Sequence, residues 1–155
     1  MNLENEVAIV TGAASGIGAA TARLLAERGC RVALVDIDAR GQEETAAAIE
    51  REGGKALRVV ADVGDAHAAQ EQVDRIVAEF GSPSILAACA GVSTGGGTVL
   101  SLDTADWDKV WRVNVMGTVN WVKAALPAFI AQRRGSIITI ASQLAFNSGG
   151  NNCAY

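Results

Sequence analysis

Proline is nearly missing from this chain of 155 residues: there are 2, against 17 glycines. The glycines follow no three-residue period, so collagen-like and proline-rich low-complexity architectures are excluded. A basic surplus is also lacking. Lysine and arginine number 13 against 17 aspartates and glutamates, for a net charge of -4. No excess of cations exists to neutralise a phosphate backbone, so nucleic acid is not expected as a partner. The three cysteines, Cys30, Cys89 and Cys153, are odd in number and widely spaced, which excludes a disulfide framework or a zinc ribbon. Reduced thiols in a cytoplasmic protein are the expectation. The one histidine, His67, has no ligand partner at a metal spacing, so no metal site is expected. Without a G-x-S-x-G elbow, no Ser-His-Asp hydrolase can be assembled around it either. The mean hydropathy is high, +0.22, yet no uninterrupted apolar run reaches the ~18 residues of a membrane span. The acidic start, Met1 to Glu6, lacks the regions of a signal peptide.

What is present is a core-forming composition. Half of the residues are hydrophobic and 19% are charged, which excludes a disordered chain. Strand and helix patterns alternate. Val7–Val10 and Val32–Val35 read as strands buried on both faces, and Leu57–Val60, Ser84–Ala90 and Ile137–Ile140 read as three further strands. Helical stretches are predicted over Gly16–Arg28, Ala39–Glu52, Asp65–Phe80 (with Asp65 as N-cap) and Thr104–Arg134. The last should be bent near Asn114–Gly117, and Pro127 is a candidate kink. Trp107, Trp111 and Trp121 are spaced like core or interface residues of that helix. Arg133 and Arg134 suit the dipole at its C-terminal end. Strands separated by helices imply right-handed crossovers and a parallel sheet, an α/β fold in one domain over residues 1–155.

Thr11-Gly12-Ala13-Ala14-Ser15-Gly16-Ile17-Gly18 lies between the first strand and the first helix. Glycines at such a junction let the backbone turn tightly and approach a pyrophosphate, and the helix N-terminus offers free N–H groups to the anion. The spacing is G-x-x-x-G-x-G, and no Lys-Ser/Thr pair follows as in a P-loop. A plain strand–turn–helix junction is the alternative account of the glycines taken alone. Asp36 adds specificity. It ends the second strand, 18 residues beyond Gly18, where a carboxylate can accept both ribose hydroxyls of an adenosine and repel a 2′-phosphate. NAD rather than NADP is therefore predicted. Capping of the strand–helix turn together with Asp38 is the alternative role for Asp36.

Together with later residues, this pattern resembles the short-chain dehydrogenase/reductase family across essentially the whole chain. Thr11–Gly18 is similar to the family's TGxxxGIG turn. Asp62-Val63 stands where the family sets an aspartate against the adenine. Ala88-Cys89-Ala90-Gly91 stands where Asn-Asn-Ala-Gly is usual, with both asparagines replaced and the Ala-Gly backbone beside the cofactor retained. Asn114 lies in a segment resembling N-V-x-G. Ser142 follows the fifth strand, and Tyr155 comes 13 residues later, at the family's interval. The resemblance implies a three-layer doubly wound Rossmann fold with a parallel sheet in the order 3-2-1-4-5. Its chemistry would be hydride transfer between a nicotinamide and a small alcohol or carbonyl substrate. Gly12, Ser15, Gly16, Ile17, Gly18, Asp36, Asp62, Val63, Cys89, Ala90 and Gly91 are the implied cofactor-binding residues. The implied catalytic set is Tyr155 as proton donor or acceptor, Ser142 orienting the substrate oxygen, and Asn114 holding backbone and water.

The family places a lysine four residues beyond the tyrosine, then further strands and a substrate-covering loop. On that comparison the chain is expected to be a truncated form of low activity. A free phenol ionises near 10, and lowering that value to about 7 takes roughly 4 kcal/mol of charge stabilisation. The fifth strand is expected to be an exposed apolar edge, and the helix bearing Trp121, Leu126 and Ile130 a partly bare face. A homodimer or homotetramer is implied for the complete form. Gln143, Asn147 and Asn151 are candidate polar substrate contacts. An inactive nucleotide-binding or subunit-interaction fragment is the competing expectation.

Overall fold

The computed structural model describes residues 3–146 and 151–155; Asn147 lies outside the described residues. Five strands form one parallel sheet in the order β3-β2-β1-β4-β5. They are β1 (Val7–Thr11), β2 (Arg31–Asp36), β3 (Lys55–Val60), β4 (Ile85–Ala88) and β5 (Ser136–Thr139). The helices are α1 (Gly16–Glu27), α2 (Ala39–Arg51), α3 (Ala66–Phe80), α4 (Thr104–Val110) and α5 (Thr118–Gln132). A π-helical segment, Trp111–Gly117, joins α4 to α5 without a break.

Alternation along each strand sorts side chains to two faces. Val7, Ile9, Ala33, Val35, Leu57 and Val59 face Val73 and Ile76 of α3 and Trp121, Ala125 and Phe129 of α5. Ala8, Val10, Val32 and Leu34 face Ala22 and Ala26 of α1 and Ala46 and Ile49 of α2. β1, β2 and β4 are buried on both faces for this reason, whereas β3 is exposed on alternate residues and β5 throughout; helices on both sides of the sheet give three layers.

Local chemistry sets the helix boundaries. The Asp65 carboxylate accepts from the N–H groups of His67 and Ala68 at the start of α3. Asp38 caps α2 through Arg40 N, and Asp103 forms a capping box with Asp106 on α4. Gly29 and Gly81 follow α1 and α3 with positive φ, 89° and 92°, which suits glycine past a helix end.

One expectation changes. β4 stops at Ala88, so Ala90 and Cys89 are outside the strand. Its partner β1 ends at Thr11, and the Ala90 N–H is taken instead by Thr11 Oγ1 at 3.1 Å. Pro127 lies within α5. The Arg134 backbone N–H donates to Phe129 O at the end of α5, and its side chain pairs with Glu6 across the molecule at 2.5 Å. Of the tryptophans, Trp121 is fully buried, whereas Trp107 and Trp111 are exposed. The β5 edge is bare as expected, with Ile137, Ile138 and Ile140 each at least 40% exposed.

Candidate active site

The sheet order reverses between β1 and β4, and ligands of open α/β sheets bind beyond the strand ends at such a switch point. A cleft of about 480 Å³ lies there, within the range of small-molecule sites. It gathers every residue expected to bind the cofactor, while Asn114, Ser142 and Tyr155 are not part of its lining. The glycine turn supplies Gly12, Ser15, Gly16, Ile17 and Gly18, and β2 supplies Asp36. The loop after β3 supplies Asp62 and Val63, and the loop after β4 supplies Cys89, Ala90 and Gly91.

The turn is held by close backbone contact. A Cβ on Gly12 would lie 2.8 Å from Ala90 N, and one on Gly18 would lie 2.6 Å from the carbonyl carbon of Gly12. At Gly16, where φ is +53°, a Cβ would meet nothing within 4 Å. The N-cap Ser15 makes no side-chain bond to the first turn of α1. The leading N–H groups of α1 thus lack the side-chain acceptor that Asp38, Asp65 and Asp103 give the next three helices. Uncapped donors above an unobstructed glycine fit an anionic diphosphate.

Asp36 has both proposed roles within reach. Its Oδ2 accepts from Ala14 N at 2.9 Å and its Oδ1 from Asp38 N at 3.0 Å. Each carboxylate oxygen accepts two bonds, so one position on each remains for a ligand hydroxyl. The backbone beneath is clamped by Gln42, whose Nε2 donates to Asp36 O at 3.0 Å and Val59 O at 2.8 Å. Gln42 was not anticipated. A signal for it exists: Gln42, Thr45, Ala46 and Ile49 are all buried and share one helical stripe, so a polar residue at that position needs a buried partner.

Asp62 pairs with Arg112 from the π-helical segment, Nη1 to Oδ2, at 2.6 Å. That hydrogen bond holds the Asp62 carboxyl below the ordinary carboxylate range, against the opposing effect of burial. Lys109 and Arg112 both line the cleft. The glycine turn itself carries no cation, as expected, but these two arrive from elsewhere in the chain. Nothing in the local sequence signals that.

Asn114 binds backbone. Its Oδ1 accepts from Val92 N at 2.8 Å and its Nδ2 donates to Val92 O at 2.9 Å. It thereby holds the chain just past Gly91. The Cys89 thiol is partly buried, and that burial pushes its pKa up against a hydrogen bond with Thr21. Such a thiol is a poor nucleophile. Ser142 opens a short 3-10 turn, Gln143–Ala145, its Oγ accepting from Leu144 N. Tyr155 is 49% exposed, and its N–H donates to Asn152 O. Asn152 bridges to Gly97, whose carbonyl also accepts from Cys153 Sγ at 3.4 Å. The loop after β4 and the segment bearing Tyr155 are thus joined. Among the described residues, no hydrogen bond links Asn114, Ser142 and Tyr155 to one another.

Residues 6–155 match the family model described as short chain dehydrogenase. The chain belongs to the short-chain dehydrogenase family. It is 42% identical over 149 residues to cis-4-hydroxycyclohexanecarboxylate dehydrogenase of Sinomonas cyclohexanicum, covering 96% of this chain and 59% of that protein. It is 39% identical to D-threitol dehydrogenase of Mycolicibacterium smegmatis, covering 99% of this chain and 58% of that protein. Among solved structures, NAD+-bound xylitol dehydrogenase superposes with a TM-score of 0.95 at 32% identity, over 100% of this chain and 60% of the other. A metagenomic short-chain oxidoreductase in complex with NADP superposes at 0.94 with 34% identity, over 100% of this chain and 70% of the other. The short-chain dehydrogenase fold is thus shared over the full chain, which spans about three fifths of the length of its curated relatives. Among the described residues, no helix is long and apolar enough to cross a membrane, and no group of three or more His, Cys, Asp or Glu forms a metal site.

Proposed function

We propose that this chain is the cofactor-binding part, one domain, of an NAD-dependent oxidoreductase that interconverts a small alcohol and its carbonyl. The observation that carries the reading is the Asp36 carboxylate, pinned between Ala14 N and Asp38 N beside the glycine turn. A fixed anion there accepts ribose hydroxyls and repels a 2′-phosphate. The names of the relatives, which are dehydrogenases of hydroxylated compounds, support the substrate class.

Bound NAD supplies the hydride acceptor. The protein's part is positioning and proton movement. Gly12, Gly16, Gly18 and the α1 N-terminus hold the diphosphate, and Asp36 holds the adenosine ribose. Asp62 and Val63 border the adenine, while Ala90 and Gly91, steadied through Asn114 and Val92, border the nicotinamide end. Tyr155 takes the proton from the alcohol oxygen or returns it, and Ser142 hydrogen-bonds the same oxygen. Taken alone, the 155-residue polypeptide binds NAD and turns over slowly. Tyr155 is half-exposed, without a hydrogen bond from any cationic side chain among the described residues, and a loosely held acid loses effective molarity. In a longer form the exposed apolar face of Trp111, Val119, Leu126 and Ile130 supports a homodimer or homotetramer.

Calorimetric titration tests the cofactor assignment. NAD is expected to bind at least about tenfold more tightly than NADP, as loss of hydrogen bonds to a charged acceptor implies. Equal or tighter NADP binding would refute it. The lack of a hydrogen bond among Asn114, Ser142 and Tyr155, within the described residues, favours a second reading, a nucleotide-binding fragment without catalysis. Tyr155→Phe in a longer form decides between the two. The enzyme loses nearly all turnover with NAD affinity intact; a fragment without catalysis shows no turnover to lose.

A further inference from the structure

Asp62 and Arg112 are 50 residues apart in sequence and meet at the cleft. Arg112 Nη1 donates to Asp62 Oδ2 at 2.6 Å, while the Gly64 N–H donates to Oδ1 at 2.8 Å. The arginine lies across Gly64. A Cβ at that position would be 2.8 Å from Arg112 Cγ and would strike Nη1. The φ of Gly64 is not positive, so a side chain there would displace the arginine and not strain the backbone. The backbone carrying Arg112 is tied to the same loop. Asn120 Nδ2 donates to Val63 O at 3.1 Å, and Gly117 packs so that a Cβ would lie 2.7 Å from Val63 Cγ2.

This buttressing supports a pair that contributes little to the fold. The side chains are 51% and 34% exposed, and pairs so open to water contribute about 0–1 kcal/mol. Their placement matters to the cleft. Each Asp62 oxygen uses one of its two acceptor positions, so one on each is left for a ligand donor.

We infer that Arg112 is a positioning residue for the cofactor: it holds the Asp62 carboxylate turned into the cleft and, through it, selects a purine bearing an exocyclic amino group. The inference rests on the reading that Asp62 meets the adenine end. A planar guanidinium, with its fixed donor fork, orients the carboxylate; a lysine ammonium in its place would keep the charge and lose the fork.

The test compares NAD with nicotinamide hypoxanthine dinucleotide, which carries an oxygen where NAD has the amino group. Both are titrated into the 155-residue protein. The unaltered chain prefers NAD by about tenfold, as one hydrogen bond to a charged acceptor implies. In Arg112→Ala the preference falls below about twofold, and Arg112→Lys is intermediate. General loosening of the fold would weaken both ligands together and leave the ratio unchanged, so an undiminished ratio in Arg112→Ala overturns the inference. If the unaltered chain itself shows no preference, the adenine role of Asp62 is wrong, and the inference falls with it. Should Arg112→Ala not fold, Arg112→Lys and Arg112→Gln, whose chains still cross Gly64, decide by the same ratio.

Discussion

The carbonyl of Gly12 lies directly against Gly18: a Cβ on Gly18 would be 2.6 Å from the carbonyl carbon and closer still to the oxygen. Gly18→Ala should therefore cost about 1–3 kcal/mol, the range for overpacking, and lower NAD affinity by spreading the turn. Gly16→Ala meets no neighbour and strains only its φ of +53°, for about 1–2 kcal/mol. Urea unfolding with NAD titration separates crowding from conformation. Gly18→Ala should lose affinity well beyond what its stability change explains.

Asn114→Ala removes both bonds to Val92. A loss of about 0.5–1.5 kcal/mol is expected for partly buried hydrogen bonds. Hydrogen exchange at the Val92 amide should quicken while the β1 and β2 amides stay protected. Unchanged protection at Val92 would remove Asn114 as the clamp.

Acid should weaken the fold in part through Glu6. Its carboxyl accepts from Ser84 Oγ and Arg134 Nη1, and these hydrogen bonds place its pKa below the ordinary 4.5. A group lowered on folding contributes stability above its unfolded value, and the contribution is lost as pH falls through the folded value. Asp62, lowered by Arg112, acts with the same sign. Urea midpoints should decline below about pH 4.5, and Glu6→Gln should flatten that decline and lower the midpoint at neutral pH. An equally steep decline in Glu6→Gln would place the acid sensitivity elsewhere.

The β5 edge should drive association. Ile137 and Ile138 are 40% and 43% exposed on a strand with one free side, an open template for pairing. Ile138→Lys should reduce light scattering at a given concentration with little change in NAD affinity.

Patterns within a few residues made most of the architecture legible. Doubly buried strands reveal themselves as apolar runs because both faces are covered, and Asp65 reveals a helix start because its carboxylate meets N–H groups two and three residues on. A departure from regular helix near Asn114 was legible as a place, but its form, an unbroken π-helical segment through Trp111–Gly117, was not. The strand end at Ala88 was misplaced because pairing with β1, and not the apolar run, decides where β4 stops.

Composition and local spacing by themselves determined the α/β alternation, the glycine turn and the acidic residue closing β2, since each is a property of neighbours along the chain. Only tertiary packing decided that Arg112 would sit on Asp62, that Gln42 would clamp β2 to β3, and that Arg134 would reach Glu6, 128 residues away. A hydrogen bond needs atoms within about 3 Å of each other, and what brings distant residues that close is the order and register of the strands beneath them.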